Sequence, residues 1–322
     1  MRTFRACGGV AAVAASLAVA LLASACGGSA ASSSTKLEKT NLVVGAVPGE
    51  GAASLYIAQA KGLFAKQGLH VKIVPTTTAG AVIPEMLHGS VDIDSGQWSS
   101  VIAAQTKGVG HFHALANGFA LGPHVHEILA LPSSGITSPQ QLKGKTIAVN
   151  ALNSLTTDLA LTALSAYGIT PSEVHFVAIP FPAEIAALSA HRVDAAYMIE
   201  PYITEAEETI GASALVDVDQ GSTSNFPING FAVTSQWAAK NPKTAAAFAT
   251  AIAQGNNMAA TNPGALRQVL RSSLHLNQKI ADAMASGTFP TSVDATQLQR
   301  VADLMQRYGQ LKQRFDVHSI TG

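Results

Sequence analysis

From residue 41 onward the chain alternates short β-branched runs with helical stretches, and that alternation confines it to few folds. Runs at 41–47 (NLVVGAV), 71–74, 91–94, 111–116, 126–131, 146–149, 175–178 and 195–199 read as strands. Helical patterning begins near Ser54, covers 83–88, resumes at Ser99, runs from about Thr156 to Tyr167 and returns around 183–190. Strands separated by helices need crossover connections, which gives an α/β chain with mixed, mainly parallel sheets covered on both faces. Punctuation agrees: Ser138-Pro139 opens a helical turn, and Gly168 stops the long helix. After a last strand at 231–234 only helical patterns remain, over 240–315, opened by Asn241-Pro242, Asn262-Pro263 and a capping Asp294.

A weak internal echo divides this pattern in two. Residues 83–93 (IPEMLHGSVDI) and 184–195 (EIAALSAHRVDA) both read as helix, tight turn, then Val-Asp opening a strand. Their separation is about a hundred residues, one lobe's worth, so two α/β lobes of similar build are expected.

The N-terminus carries an address. Arg2 and Arg5 form a short basic region, and residues 10–22 form an apolar run too short to span a bilayer, the secretory signal pattern. The ending Ala23-Ser24-Ala25-Cys26 resembles the lipobox of bacterial lipoproteins, although Leu22 lies one place further from the cysteine than usual. That resemblance implies a signal peptide over 1–25 and lipidation of Cys26. The protein would then be anchored to the outer face of the bacterial cell membrane. Cleavage near Ala25 without lipidation would leave it secreted, and either outcome is extracytoplasmic. Residues 26–40, small and polar, read as a flexible tether.

Cys7 and Cys26 are the only cysteines, so the exported part has no disulfide, thiol nucleophile or cysteine metal site. Without residues 1–25 the chain has 18 basic and 20 acidic residues, which offers no field for nucleic acid or an acidic membrane.

An ordered series of segments resembles a known family. Tyr56-Ile57-Ala58-Gln59-Ala60-Lys61-Gly62-Leu63-Phe64, then Gly68-Leu69 and Val71, resembles the opening of solute-binding proteins of the sulfonate, taurine, nitrate and thiamine-precursor group. Gly89-Ser90-Val91-Asp92-Ile93, residues 142–149 (LKGKTIAV), Val193-Asp194-Ala195-Ala196 and Glu200-Pro201 match further stations in the same order, over about 41–260. The resemblance implies a type II periplasmic-binding-protein fold, two lobes closing on a ligand. Lobe one would comprise 41–132 plus the helical tail 230–322, and lobe two 133–229. It also implies an ABC-transporter permease as partner, a monomeric state, and neither cofactor nor catalysis.

Ligands of open α/β sheets sit beyond the strand carboxyl ends, near helix N-termini, so the loops there supply the candidate residues. In the first loop these are Gly49, Glu50 and Ser54, and in the second Thr78. The third offers Gly96, Gln97 and Trp98, with the indole as a cleft wall. In lobe two the candidates are Asn150, Asn153, Ser154 and Thr156 ahead of the long helix, and Glu200 at a strand end. Each has a plainer role available, as a turn, cap or packing residue. No loop contains Lys or Arg, while Glu50, Glu200 and Trp98 suit an amine-bearing or aromatic solute. His111, His113, His124 and His126 form two His-x-His pairs with possible metal-ligand spacing, but the reading adopted assigns them no metal.

The leading function is therefore capture of a small organic solute, sulfonate- or taurine-like or pyrimidine-like, for an ABC importer. A ligand-sensing lipoprotein for a membrane receptor would have the same cleft. The enzymatic branch of pyrimidine synthesis is expected to act intracellularly with a cysteine-rich motif, which this chain lacks.

Overall fold

The computed structural model describes residues 36–76 and 80–322, so the signal segment, Cys26, much of the tether and Thr78 lie outside the described residues. Among the described residues ten strands form two five-stranded sheets. The first contains β1 (Asn41–Ala46), β2 (His70–Pro75), β3 (Ile93–Gln97), β4 (Phe112–Ala120) and β10 (Pro227–Thr234), in the order β2-β1-β3-β10-β4. The second contains β5 (His126–Ala130), β6 (Thr146–Val149), β7 (His175–Ala178), β8 (Ala195–Ile199) and β9 (Ser213–Asp217), in the order β7-β6-β8-β5-β9.

Pairings β1–β2, β1–β3, β6–β7 and β6–β8 are parallel. β10 runs antiparallel to both its neighbours, and so does β5. Four strands in each sheet therefore point one way and one points back. The chain leaves β4 at its carboxyl end and enters β5, the reversed strand, on the carboxyl edge of the second sheet. The return from β9 to β10 likewise joins carboxyl edge to carboxyl edge. Both crossings, 121–125 and 218–226, thus link the edges where such sheets hold ligands.

Helices cover the faces: α1 (Ala53–Ala60), α2 (Leu63–Lys66), α3 (Ile83–His88), α4 (Trp98–Thr106), α5 (Leu155–Ser165), α6 (Phe181–Ser189), α7 (Tyr202–Ile210) and α8 (Ser235–Lys240). The C-terminal region adds α9 (Pro242–Thr261), α10 (Pro263–Leu274), α11 (Gln278–Ala283), α12 (Ala295–Arg307) and α13 (His318–Thr321). On one face of the first sheet Phe248 of α9 stacks on Phe64 (centroids 5.3 Å apart) and meets Phe231 of β10 edge-on at 5.6 Å. All three rings are buried, each contributing roughly 1.5–3 kcal/mol.

The two echo segments occupy equivalent places, α3–β3 and α6–β8, each strand lying directly beside the first strand of its own sheet. Their shared aspartate has one task. Asp92 Oδ2 accepts the Val43 N–H of β1 at 2.9 Å, and Asp194 Oδ2 accepts the Thr146 N–H of β6 at 2.9 Å. A lysine neighbours each, Lys39 at 2.5 Å and Lys145 at 3.5 Å.

Two expectations change. β5, placed with the first lobe by the boundary at 132, hydrogen-bonds only within the second sheet, so the crossing falls at 121–125. The return crossing at 218–226 likewise precedes the expected boundary at 229. The edge strand β9 was not anticipated, because its sequence, Ser-Ala-Leu-Val-Asp, is short and buries only Val216 fully.

Candidate functional site

One segment of the C-terminal region bridges the two carboxyl edges. Glu50 follows β1, and its Oε1 accepts hydrogen bonds from Ser286 Oγ at 2.5 Å and Gly287 N at 3.0 Å. Glu200 follows β8, and its Oε1 accepts the Ala285 N–H at 3.0 Å and the Thr204 hydroxyl at 2.8 Å. Three consecutive residues therefore hold one carboxylate from each sheet. Thr288 pairs with Ala120 at the end of β4 through two 2.9 Å backbone bonds, and its hydroxyl lies 2.6 Å from Asn225 Oδ1. The segment is thus tied to both crossings. Burial pushes the Glu50 carboxyl up to about 7, opposed by Ser286 and Gly287 and reinforced by the nearby Glu200 charge. Glu200 is also raised, chiefly by burial.

These bonds revise what the two acids can do. Both were expected to face a solute, yet each is buried and already occupied by the chain itself.

Other polar atoms at the same edges are buried and find no hydrogen-bond partner among the described residues. On the first sheet they are Thr76 Oγ1 just past β2, Asp94 Oδ2 and Ser95 Oγ within β3, Ser54 Oγ in the first turn of α1, and Trp98 Nε1 at the start of α4. On the second they are Asn150 Oδ1 just past β6 and both carboxylate oxygens of Glu184 in the first turn of α6. A buried polar group without a partner costs about 1–3 kcal/mol, so such groups are few in folded proteins. Asn117 Oδ1 and Asn256 Oδ1 are the remaining unpartnered atoms, and their amide nitrogens tie β4 and α9 to carbonyls of Ser292, Asn117 and Pro290.

Small residues shape the first edge. A Cβ on Gly96 would lie 2.5 Å from Asp94 Oδ2, so the carboxyl group rests over Gly96, towards the carboxyl end of β3. A Cβ on Gly230 would fall 1.8 Å from the Trp98 ring. Burial alone raises Asp94 to about 7 and Glu184 to about 9, with no neighbouring cation lowering either.

Trp98 therefore departs from expectation. It is fully buried with its ring laid on β10 of its own sheet, so it presents no open wall. The glycine needed for close approach in the first loop is Gly51, whose Cβ would lie 2.7 Å from the Asn229 side chain. Gly49 is extended, at φ 161°, with open space around it. Gln97 sits half-buried at the N-cap position of α4 without capping it. Ser154 is the N-cap of α5, accepting the Thr157 N–H at 3.4 Å and donating to Ala151 O at 2.8 Å. Asn153 is an exposed turn residue at φ 50°, and Thr156 is buried in the first turn of α5. The structure thus leaves Ser54, Trp98 and Asn150 with unpartnered atoms, and commits Glu50, Ser154 and Glu200 to the chain itself.

Sequence reasoning missed Asp94 and Glu184, whereas Thr76 and Ser95 open the second and third candidate loops. An acid inside a short strand (Asp94), and a lone acid in the apolar helix Phe181–Ser189, were the available signals.

The second histidine pair does not form a strand face. His124 adopts a left-handed turn at φ 65°, and half-buried His126 bonds its Nδ1 to the Tyr197 hydroxyl at 2.8 Å. His124 Nδ1 instead lies 2.7 Å from Glu127 Oε1 and 3.8 Å from Asp217 Oδ2, three groups near enough together to hold a metal ion. The Glu127 hydrogen bond raises the His124 pKa, and burial raises that of Glu127. Two surface grooves of about 440 and 500 Å³ lie elsewhere and contain none of the unpartnered atoms. No helix among the described residues is long and apolar enough to cross a membrane.

Residues 51–265 match the model of the family described as NMT1/THI5 like. The taurine-binding periplasmic protein of Escherichia coli strain K12 is 29% identical over 210 residues, 64% of this chain and 63% of that protein. The alignment thus spans under two thirds of that relative's length. Among solved structures, the periplasmic aliphatic sulphonate binding protein SsuA from Escherichia coli superposes with a TM-score of 0.74 at 19% identity, covering 88% of this chain and 97% of that one. The periplasmic nitrate-binding protein NrtA from Synechocystis PCC 6803 gives 0.72 at 16% identity, covering 88% and 86%. At these identities the superpositions establish a shared fold.

Proposed function

The chain belongs to the NMT1/THI5 like family, and on that premise we propose that it is the solute-binding component of an ABC importer. One observation carries the reading: buried, unpartnered polar atoms gather at the carboxyl edges of both sheets, which the two crossings join. A protein that only needed to be stable would satisfy those groups internally, whereas a binder reserves them for its ligand. The two lobes, built on the two sheets, open and close about 121–125 and 218–226 to admit a small organic solute. The taurine- and sulphonate-binding names of similar proteins support the same class. Lipidation of Cys26 would hold the protein outside the cytoplasm beside its permease.

Capture is tested by thermal unfolding of the purified protein with taurine, alkanesulfonates, nitrate, bicarbonate, pyrimidines and organic amines. A solute at 100 times its Kd should stabilise the protein by about 2.7 kcal/mol. Reconstitution with the permease and its ATPase then asks whether the solute-loaded protein stimulates ATP hydrolysis. Binding without stimulation would favour the receptor-sensing reading.

A further inference from the structure

We infer that the solute carries a positively charged nitrogen, and that Asp94 from the first sheet and Glu184 from the second receive it. The inference rests on the capture reading and names the class of ligand. Among the unpartnered atoms at the two edges, the groups able to carry charge are both carboxyls. Neither forms an ion pair among the described residues. The other two acids at these edges are different in kind: Glu50 and Glu200 accept hydrogen bonds from residues 285–287 and Thr204. Asp94 and Glu184 are 2% and 0% exposed, and Asp94 Oδ2 and both Glu184 oxygens receive none among the described residues.

An isolated buried carboxylate is costly unless a cation or several donors meet it. Asp94 is aimed by its surroundings, since its carboxyl rests over Gly96 towards the strand end. Glu184 lies in the first turn of the helix that follows β7, on the corresponding edge of the other sheet. An ammonium group entering between the edges would supply the positive charge that both acids lack. The hydroxyls of Ser54, Thr76 and Ser95 can accept from an N–H or donate to an anionic part of the same solute. A solute that is only an anion would face two carboxyl groups with no cation among the unpartnered atoms to meet it, and would be rejected.

The test pairs each amine with its deaminated isostere on the wild-type protein: taurine with ethanesulfonate, 4-aminobutanoate with butanoate, and choline with 3,3-dimethylbutan-1-ol. Affinities are read by calorimetry, alongside nitrate and bicarbonate. At least one amine should bind, more than tenfold tighter than its isostere. An isostere binding as tightly as its amine, or nitrate or bicarbonate binding in place of every amine, would overturn the inference while leaving capture standing. If no solute binds, capture fails and the inference with it. Asp94→Asn and Glu184→Gln provide a reading that needs no solute. Each should raise the unfolding temperature of the solute-free protein, and each should weaken the amine at least tenfold. A fall in unfolding temperature for both would assign these acids a structural role and overturn the inference.

Discussion

Ser286 donates its hydroxyl to Glu50 across 236 positions of sequence, at 2.5 Å, and the next residue adds its N–H to the same carboxylate oxygen. The C-terminal region thereby clasps a loop that follows the first strand. Ser286→Ala removes one donor from a buried acid and should destabilise the protein by about 1–3 kcal/mol in urea unfolding. An unchanged midpoint would show that the clasp contributes nothing.

Gly287 has less latitude. A Cβ there would lie 2.3 Å from the Phe119 ring and 2.5 Å from the Ala120 carbonyl. Gly287→Ala should cost about 1–3 kcal/mol or more, because backbone cannot move aside as a side chain can. Calorimetric unfolding of the variant checks this directly.

The Trp98–Gly230 contact predicts coupling. Gly230→Ala drives a methyl group into the indole and should destabilise strongly, whereas a Trp98→Ala background removes the atoms nearest that methyl. A double-mutant cycle should return an interaction energy of roughly 0.5–3 kcal/mol. Additive costs would mean that the ring does not rest on that glycine.

Stability should fall as pH rises, and the sign follows from the carboxyls that burial raises furthest, Glu50, Asp94, Asp158 and Glu184. They are held at about 7, 7, 7 and 9, against ordinary values of 4.5, 3.8, 3.8 and 4.5. Above about pH 4.5 the unfolded chain releases these protons while the folded chain keeps them, so each unit favours unfolding by up to about 1.4 kcal/mol per group. The Glu50, Asp94 and Asp158 contributions level off near pH 7, and that of Glu184 near pH 9. Urea midpoints between pH 5 and 9 should decline, and Glu184→Gln should flatten the slope above pH 7.

The paired aspartates give a graded expectation. Asp92 is buried and also accepts the Trp237 N–H at 2.9 Å, while the Asp194 side chain is 37% exposed. Asp92→Ala should therefore cost about 1–3 kcal/mol and Asp194→Ala less than half as much. Equal losses would place the value of the motif in its turn rather than in the carboxylate.

The repeated Val-Asp stations were readable in the sequence because a helix, a tight turn and a strand start impose local residue choices. The strand–helix alternation was readable for the same reason. Which acids stay free was not. Glu50 and Glu200 look like Asp94 and Glu184 in sequence, and only the arrival of residues 285–287 separates them. Trp98 was misjudged similarly: a Trp between a glycine turn and a serine suggests exposure until Gly230, more than a hundred positions away, opens a place for the ring. Contacts so distant leave no local pattern.

The position of β10 also sets an order of events. It pairs with β3 and β4, yet it follows every strand of the second sheet. A chain emerging from its N-terminus can complete the second sheet, contiguous over 126–217, while β3 and β4 still show unpaired edges. Molecules interrupted before residue 227 would keep those edges, and strand exchange between two such molecules becomes their readiest way of satisfying them.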